Sequence, residues 1–275
     1  MLSDEPEEQL LRDESDKAVA RADRRLSKYE RESRFLNKMS EDYQVFDDVF
    51  DMPTLFAINE LRSNGMIGYI MSSLAAGKES RVYLALAPDN SFRAVKIYLT
   101  VSAEFKKRIQ YIAGDPRFSD IKQGSRALIK EWARKEFKNL QTAHASNVQV
   151  PLPIAVRKNV LVMEFVGDSE GNPSPTLVKS EEMTSVDYQQ VIQQMTILYQ
   201  KAKLVHADLS EYNIFKTNRG IMLFDFGSAI DIQHPNSKQF LVRDVTNVNK
   251  FFEKRGIEVL NTAQMIEKIR GNTKG

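Results

Sequence analysis

The 275-residue chain has no cysteine, three histidines and one tryptophan. With no thiolates and few imidazoles it lacks the donors from which zinc centres are built, so no zinc is expected. No apolar run approaches the roughly 18 residues of a membrane-spanning helix, and the acidic start is unlike a signal peptide, so no membrane partner is expected. The absence of cysteine fits a reducing, cytoplasmic location. No internal repeat is visible. Charge is nearly balanced, 39 basic against 37 acidic residues, a net +2, and the pI is 8.6. That is too mild to imply nucleic-acid binding by the whole surface, so any such contact must come from local patches. At 42% hydrophobic, the chain can bury a full core.

The most informative stretch is His206-Ala207-Asp208-Leu209-Ser210-Glu211-Tyr212-Asn213, followed twelve residues after the Asn by Asp225-Phe226-Gly227. An aspartate and an asparagine five positions apart on one loop, with a second aspartate beyond a short hairpin, resemble the H-R-D-x-x-x-x-N and D-F-G elements of protein kinases. In that chemistry Asp208 accepts a hydroxyl proton, while Asn213 and Asp225 hold hard cations bridging the ATP phosphates. Alone, Asp-Phe-Gly is usually a strand end followed by a turn. Gly220-Ile221-Met222-Leu223-Phe224, however, reads as an apolar strand that carries Asp225 back beside Asp208 and Asn213. His206 reads as a packed structural histidine.

Upstream, Ala75-Ala76-Gly77-Lys78-Glu79-Ser80-Arg81-Val82 keeps the middle glycine and final valine of the G-x-G-x-x-G-x-V template. It also suits an ordinary hairpin turn. Glu79 after Gly77-Lys78 excludes a Walker A loop. Phe92-Arg93-Ala94-Val95-Lys96-Ile97-Tyr98 alternates as a strand and fits V-A-I-K, with Lys96 in the lysine position. Between Ala127 and Ala143, Ile129, Trp132, Ala133, Phe137 and Leu140 follow helical spacing and Glu136 falls on the same stripe. An acid on a packed face argues for a cation opposite, which makes Glu136 the candidate partner of Lys96; Glu131 sits off the stripe, toward solvent. Asn159–Met163 reads as a buried strand and Met163-Glu164-Phe165-Val166-Gly167 as the hinge. Met163 then stands at the back of an adenine pocket, with Val82 and Ala94 on the ring faces and backbone groups of Glu164 and Val166 at its edge.

Gly77-Lys78-Glu79-x-x-Val82-Tyr83, Gly114-Asp115-Pro116-Arg117-Phe118 and Leu204 to Asn213 together resemble the RIO family of atypical protein kinases. The type-1 branch fits best, because Val45 to Leu55 is similar to that branch's entry into the kinase fold. Ser210 stands where ordinary kinases place a lysine, and Ala75 and Ala76 stand where RIO proteins carry hydroxyls. The resemblance implies ATP and Mg²⁺ or Mn²⁺ as cofactors. Gly77, Lys78, Ser80, Val82, Ala94, Lys96, Met163, Glu164, Val166, Ser210, Glu211 and Asn213 then lie against the nucleotide, Asn213 and Asp225 on metal. Lys96, Glu136, Asp208 and Asp225 are the catalytic set. It further implies a seryl acceptor on another protein or on the chain itself, and work on a maturing small ribosomal subunit, with its protein and RNA as partners. The alternative is an ATPase-driven release factor with a transient phosphate on Asp225.

The expected architecture is a bilobal α/β (α+β) kinase-like fold. It comprises a charged extension over 1–42, solvated helix or disordered arm; an upper lobe over 43–163, antiparallel sheet plus one helix, with a flexible insertion near 101–125; and a hinge and truncated helical lower lobe over 164–275. The insertion carries Lys106, Lys107, Arg108, Arg117, Lys122 and Arg126, which would touch phosphate or a protein acceptor or remain solvated. Only 48 residues follow Gly227, without an A-P-E motif, so the usual peptide-docking platform is not expected. Phe240–Phe252 and Thr262–Ile269 read as the closing helices.

Overall fold

A computed structural model describes residues 50–99 and 125–271, and every element below belongs to one compact unit that begins at Met52. The expected N-terminal arm, the segment at 45–49 and the insertion with Gly114–Phe118 lie outside the described residues. Arg126 belongs to the first turn of a helix, where it is exposed.

The upper part is a five-stranded antiparallel sheet. Helix α1 (Met52–Ser63) leads into β1 (Tyr69–Ala76), β2 (Ser80–Leu86) and β3 (Phe92–Tyr98); then come helix α2 (Ser125–Ala145), β4 (Pro153–Arg157) and β5 (Val160–Glu164). Strand order is β1-β2-β3-β5-β4. β3 lies at the centre and is buried from Ala94 to Tyr98 on both faces, so its apolar residues face the core while Lys96 needs a polar partner inside. β1 is an edge strand with two register shifts, between Ile70 and Ser72 and between Ser73 and Ala75, which interrupt its pairing with β2. Helix α2 packs Ile129, Trp132, Ala133, Leu140 and Ala143 into the core, with Glu136 on the same stripe and Lys135 and Asn139 buried at its flank.

The lower part is helical, with two small strand pairs. Helix α3 (Ser185–Gln200) starts with a capping box in which Thr184 and Asp187 satisfy each other's backbone amides. Strand β6 (Leu204–Val205) pairs with β9 (Ile230–Asp231), and β7 (Ile214–Thr217) with β8 (Gly220–Leu223). The β7–β8 hairpin closes through the two residues Asn218 and Arg219 and delivers Asp225 to the side of Asn213: Phe224 N donates to Asn213 O at 3.0 Å. Helix α4 (Ser237–Lys254) buries Phe240, Leu241, Val245, Val248, Phe251 and Phe252 at 3–4 spacing, and α5 (Thr262–Arg270) closes the unit with Met265 and Ile269. The core is continuous from Trp132 and Leu161 above to Tyr188, Phe226 and Phe252 below. Chain reversal after β5 needs Gly167, because a Cβ there would lie 2.2 Å from Asn172 O.

Candidate active site

Pairing register builds one wall of a cleft. Val82 lies opposite Lys96 on β2–β3, and Ala94 lies opposite Met163 on β3–β5, so these four side chains share one face of the sheet. They line a cavity of ≈ 460 Å³, a size that accepts a nucleotide. Gly77 and Ser80 of the β1–β2 hairpin border it, as do Glu136, Glu164, Val166 and Asp225. Lys78, Asp208, Ser210, Glu211 and Asn213 do not line it; Lys78 is exposed at the hairpin tip, and the other four belong to the loop between β6 and β7.

The inner end of the cavity is ionic. Lys96 Nζ lies 2.9 Å from the Glu136 carboxylate and 2.8 Å from Asp225 Oδ1. Glu136 is fully buried, whereas the Asp225 side chain keeps 42% of its exposure. Burial by itself pulls the Lys96 ammonium toward neutrality, but Asp225 and Glu136 together more than offset it and hold the amine charged. Burial pushes the Glu136 carboxyl up to about 7 against the pull of Lys96, and the neighbouring Asp225 charge adds to the rise. The ammonium is the fixed member because two carboxylates share it, and Glu136 is the member that titrates.

Asp225 adopts a left-handed conformation, φ 64° and ψ 66°, immediately before the 3₁₀ turn Phe226–Ser228. That region is uncommon for residues other than glycine, although aspartate enters it more readily than most. Gly227 fits closely behind it; a Cβ would meet Trp132 Nε1 at 2.9 Å. His206 is buried, its Nε2 2.9 Å from Phe224 O, and its ring packs edge-on against Phe226 at 4.8 Å. Burial lowers its pKa, while the bond to Phe224 O and the charges of Asp225 and Asp208 pull the other way. Asn213 Nδ2 donates to Asp208 O at 2.7 Å, which fixes the loop and leaves the amide oxygen as a potential hard donor.

Several residues that sequence reasoning did not single out complete the site. Asp244 of α4 is buried and accepts from Ala207 N at 2.8 Å and Leu209 N at 2.9 Å, gripping the backbone on both sides of Asp208. Burial pushes its pKa up to about 7 despite these two bonds. Arg243 donates to Ala207 O, and Asn247 Nδ2 to Leu209 O at 3.1 Å. They hold Ala207 at φ 63°, a conformation alanine does not choose unaided. Glu164, already expected at the cleft edge through its backbone, has a side chain that ties the end of β5 to the lower part: Oε2 accepts from Leu152 N at 3.1 Å and Oε1 pairs with Arg219 at 3.0 Å. Tyr212, and the stacked pair Phe215 and Phe224 with centroids 3.9 Å apart, line the cavity. Asp244 alone left a readable signal, an acid on the apolar stripe of its helix.

A pair of hard oxygen donors, Asp225 and Asn213, suits Mg²⁺, which is commonly held by one or two protein groups plus substrate phosphate. Among the described residues no group of three acidic, histidine or cysteine side chains forms a closed metal cage. No helix among them is long and apolar enough to cross a membrane.

Comparison with known proteins gives the family and the fold. Residues 81–265 match the RIO domain model. The chain is 37% identical over 246 residues to the RIO-type serine/threonine-protein kinase Rio1 of Haloferax volcanii, covering 90% of this chain and 83% of that one. The Methanocaldococcus jannaschii Rio1 is 35% identical over 247 residues, covering 89% and 83%. The human serine/threonine-protein kinase RIO1 is 35% identical over 235 residues, and there the match spans 84% of this chain but 41% of the longer relative. The Chaetomium thermophilum Rio2 kinase, solved as an ADP/Mg²⁺-phosphoaspartate complex, superposes with a TM-score of 0.60 at 18% identity, covering 79% of this chain and 66% of that one, a likeness of fold. With its domain match and its archaeal relatives, the chain belongs to the RIO family, as a RIO-type serine/threonine kinase of the type-1 branch.

Proposed function

We propose that the chain binds ATP with Mg²⁺ in the cleft and transfers the γ-phosphoryl group to a seryl hydroxyl, on itself or on another protein. The observation that carries this reading is Lys96 Nζ held between Glu136 and Asp225 at the inner end of a nucleotide-sized cavity. Val82, Ala94 and Met163 cover the base, with backbone of Glu164 and Val166 at its edge. Lys96, oriented by Glu136, meets the phosphates. Gly77, Lys78 and Ser80 cover them from the hairpin, and Ser210 and Glu211 approach from the loop. Asp225 and Asn213 hold the divalent cation, which when bound neutralises charge on the phosphates. Asp208 takes the hydroxyl proton as the new O–P bond forms and the bond to the β-phosphate oxygen breaks. Most of the rate gain then comes from positioning and electrostatics.

A second reading is an ATPase switch in which the Asp225 carboxylate receives the phosphoryl group and water releases it. Its support is the partial exposure of Asp225 inside the cleft and the phosphoaspartate in the related Rio2 complex. Both readings place the protein in the cytoplasm on a small ribosomal subunit precursor. The test is ATP turnover by the purified chain, with and without such particles, with acid-stable phosphoserine distinguished from acid-labile acyl phosphate. Asp208→Ala is expected to keep ATP affinity within a few fold and lower turnover by ~10²-fold or more. Equal turnover would remove Asp208 from the reaction.

A further inference from the structure

The turn that carries Asp225 is gripped from one side by a single helix. Lys135 Nζ donates to Gly227 O at 3.0 Å and to Ala229 O. Asn139 Nδ2, one helical turn further along α2, donates to Phe226 O at 2.9 Å and to Ala229 O at 2.8 Å. Both side chains are fully buried. Two side chains thus occupy the carbonyls of residues 226, 227 and 229. The ammonium is also 5.4 Å from the Trp132 ring centroid, within cation–π range.

Spacing explains why these residues act together. Positions 135 and 139 are i and i+4, so they stand one above the other on the helix face that meets the turn. Glu136 lies beside them and anchors Lys96. One rigid helix therefore sets both halves of the ionic site, the phosphate-directed amine through Glu136 and the cation-directed carboxylate through Lys135 and Asn139. Rotating α2 away would strip a buried ammonium and a buried amide from their acceptors at the moment it released Lys96.

We propose that Lys135 and Asn139 are positioning residues that lock the Asp225 turn to α2 and so set the divalent-cation affinity of the nucleotide site. The inference rests on the kinase reading above. Groups that orient a metal ligand typically change metal affinity by roughly 10- to 100-fold when removed.

The experiment measures binding of a fluorescent ADP to the full chain, with and without Mg²⁺, for wild type, Lys135→Met and Asn139→Leu. Each variant is expected to bind metal-free ADP within a few fold of wild type, because Lys96 and Glu136 are untouched. Each should lose roughly tenfold or more of the enhancement that Mg²⁺ confers. An unchanged enhancement in folded variants overturns the proposal. If the wild type itself shows no Mg²⁺-dependent binding, the kinase reading fails instead, so the two failures are distinguishable. Should Lys135→Met not fold, Asn139→Leu, which removes no charge, carries the same expectation alone. Native-state hydrogen exchange on the wild type gives an independent readout: the Ala229 amide, bonded to Phe226 O, should open together with the central amides of α2. Opening of the turn at markedly lower protection than α2 also overturns the proposal.

Discussion

Replacing Lys96 by methionine keeps the unbranched apolar stem and removes the ammonium whose charge two carboxylates share. Glu136 is then left fully buried with its cation gone and Asp225 still close. Breaking a buried pair by removing one partner costs about 3–5 kcal/mol, but a carboxyl can escape part of that cost by taking up a proton. In the wild type burial already raises Glu136 to about 7 from 4.5; without Lys96 it rises further. A carboxyl whose folded value exceeds its unfolded value binds more protons when folded, so stability falls as pH rises between the two values and levels above the higher one. The wild-type contribution from Glu136 therefore levels near pH 7. In Lys96→Met it keeps falling above pH 7, at up to about 1.4 kcal/mol per pH unit. Urea unfolding at intervals from pH 6 to 9 reads this directly, and Lys96→Met/Glu136→Gln should flatten the slope and recover part of the stability. Parallel wild-type and Lys96→Met curves from pH 7 to 9 would refute the buried pairing.

Asp244 offers a second pH test with the same sign. Its carboxyl is raised to about 7 from 3.8, so its contribution to stability is largest at low pH and falls as pH rises toward 7. Asp244→Asn should flatten that part of the unfolding–pH curve. At pH 7.5 it should also cost about 1–3 kcal/mol, because an amide NH₂ would face the N–H of Ala207 or Leu209; an unaltered curve counts against the clamp. Gly227→Ala drives a Cβ to 2.9 Å from Trp132 Nε1, overpacking that typically costs about 1–3 kcal/mol. Trp132 is the single tryptophan of the chain, so its emission should shift as stability drops; unchanged emission and midpoint would show that the turn has room.

How far the site could be read from the sequence depends on the kind of signal each residue leaves. β3 was legible because alternation and boundaries agree, and it runs from Phe92 to Tyr98 as the pattern predicts. The helix around Glu136 was legible from its stripe and extends two residues beyond the predicted range at each end, to Ser125 and Ala145. The closing helix read at Phe240–Phe252 likewise extends to Ser237–Lys254. Glu136 was paired with Lys96 because an acid on a packed helix face demands a cation and Lys96 stands in the V-A-I-K position. The same rule applied to α4 would have singled out Asp244, flanked on its stripe by Phe240, Leu241, Val245 and Val248. Lys135 and Asn139 were harder, since polar residues beside a stripe default to a solvated face. Only the packing of the Asp225 turn against that flank reveals that they are buried. Ala207 gives no hint of its left-handed backbone, because alanine has neither the freedom of glycine nor the side-chain bonding of asparagine. The direction of Tyr212 is equally unreadable, for an irregular loop has no period. Pattern thus exposes the groups on regular elements that line the cleft. The layer holding those groups is made of contacts between elements, and it becomes readable in sequence only where a charge stands on a face that must be buried.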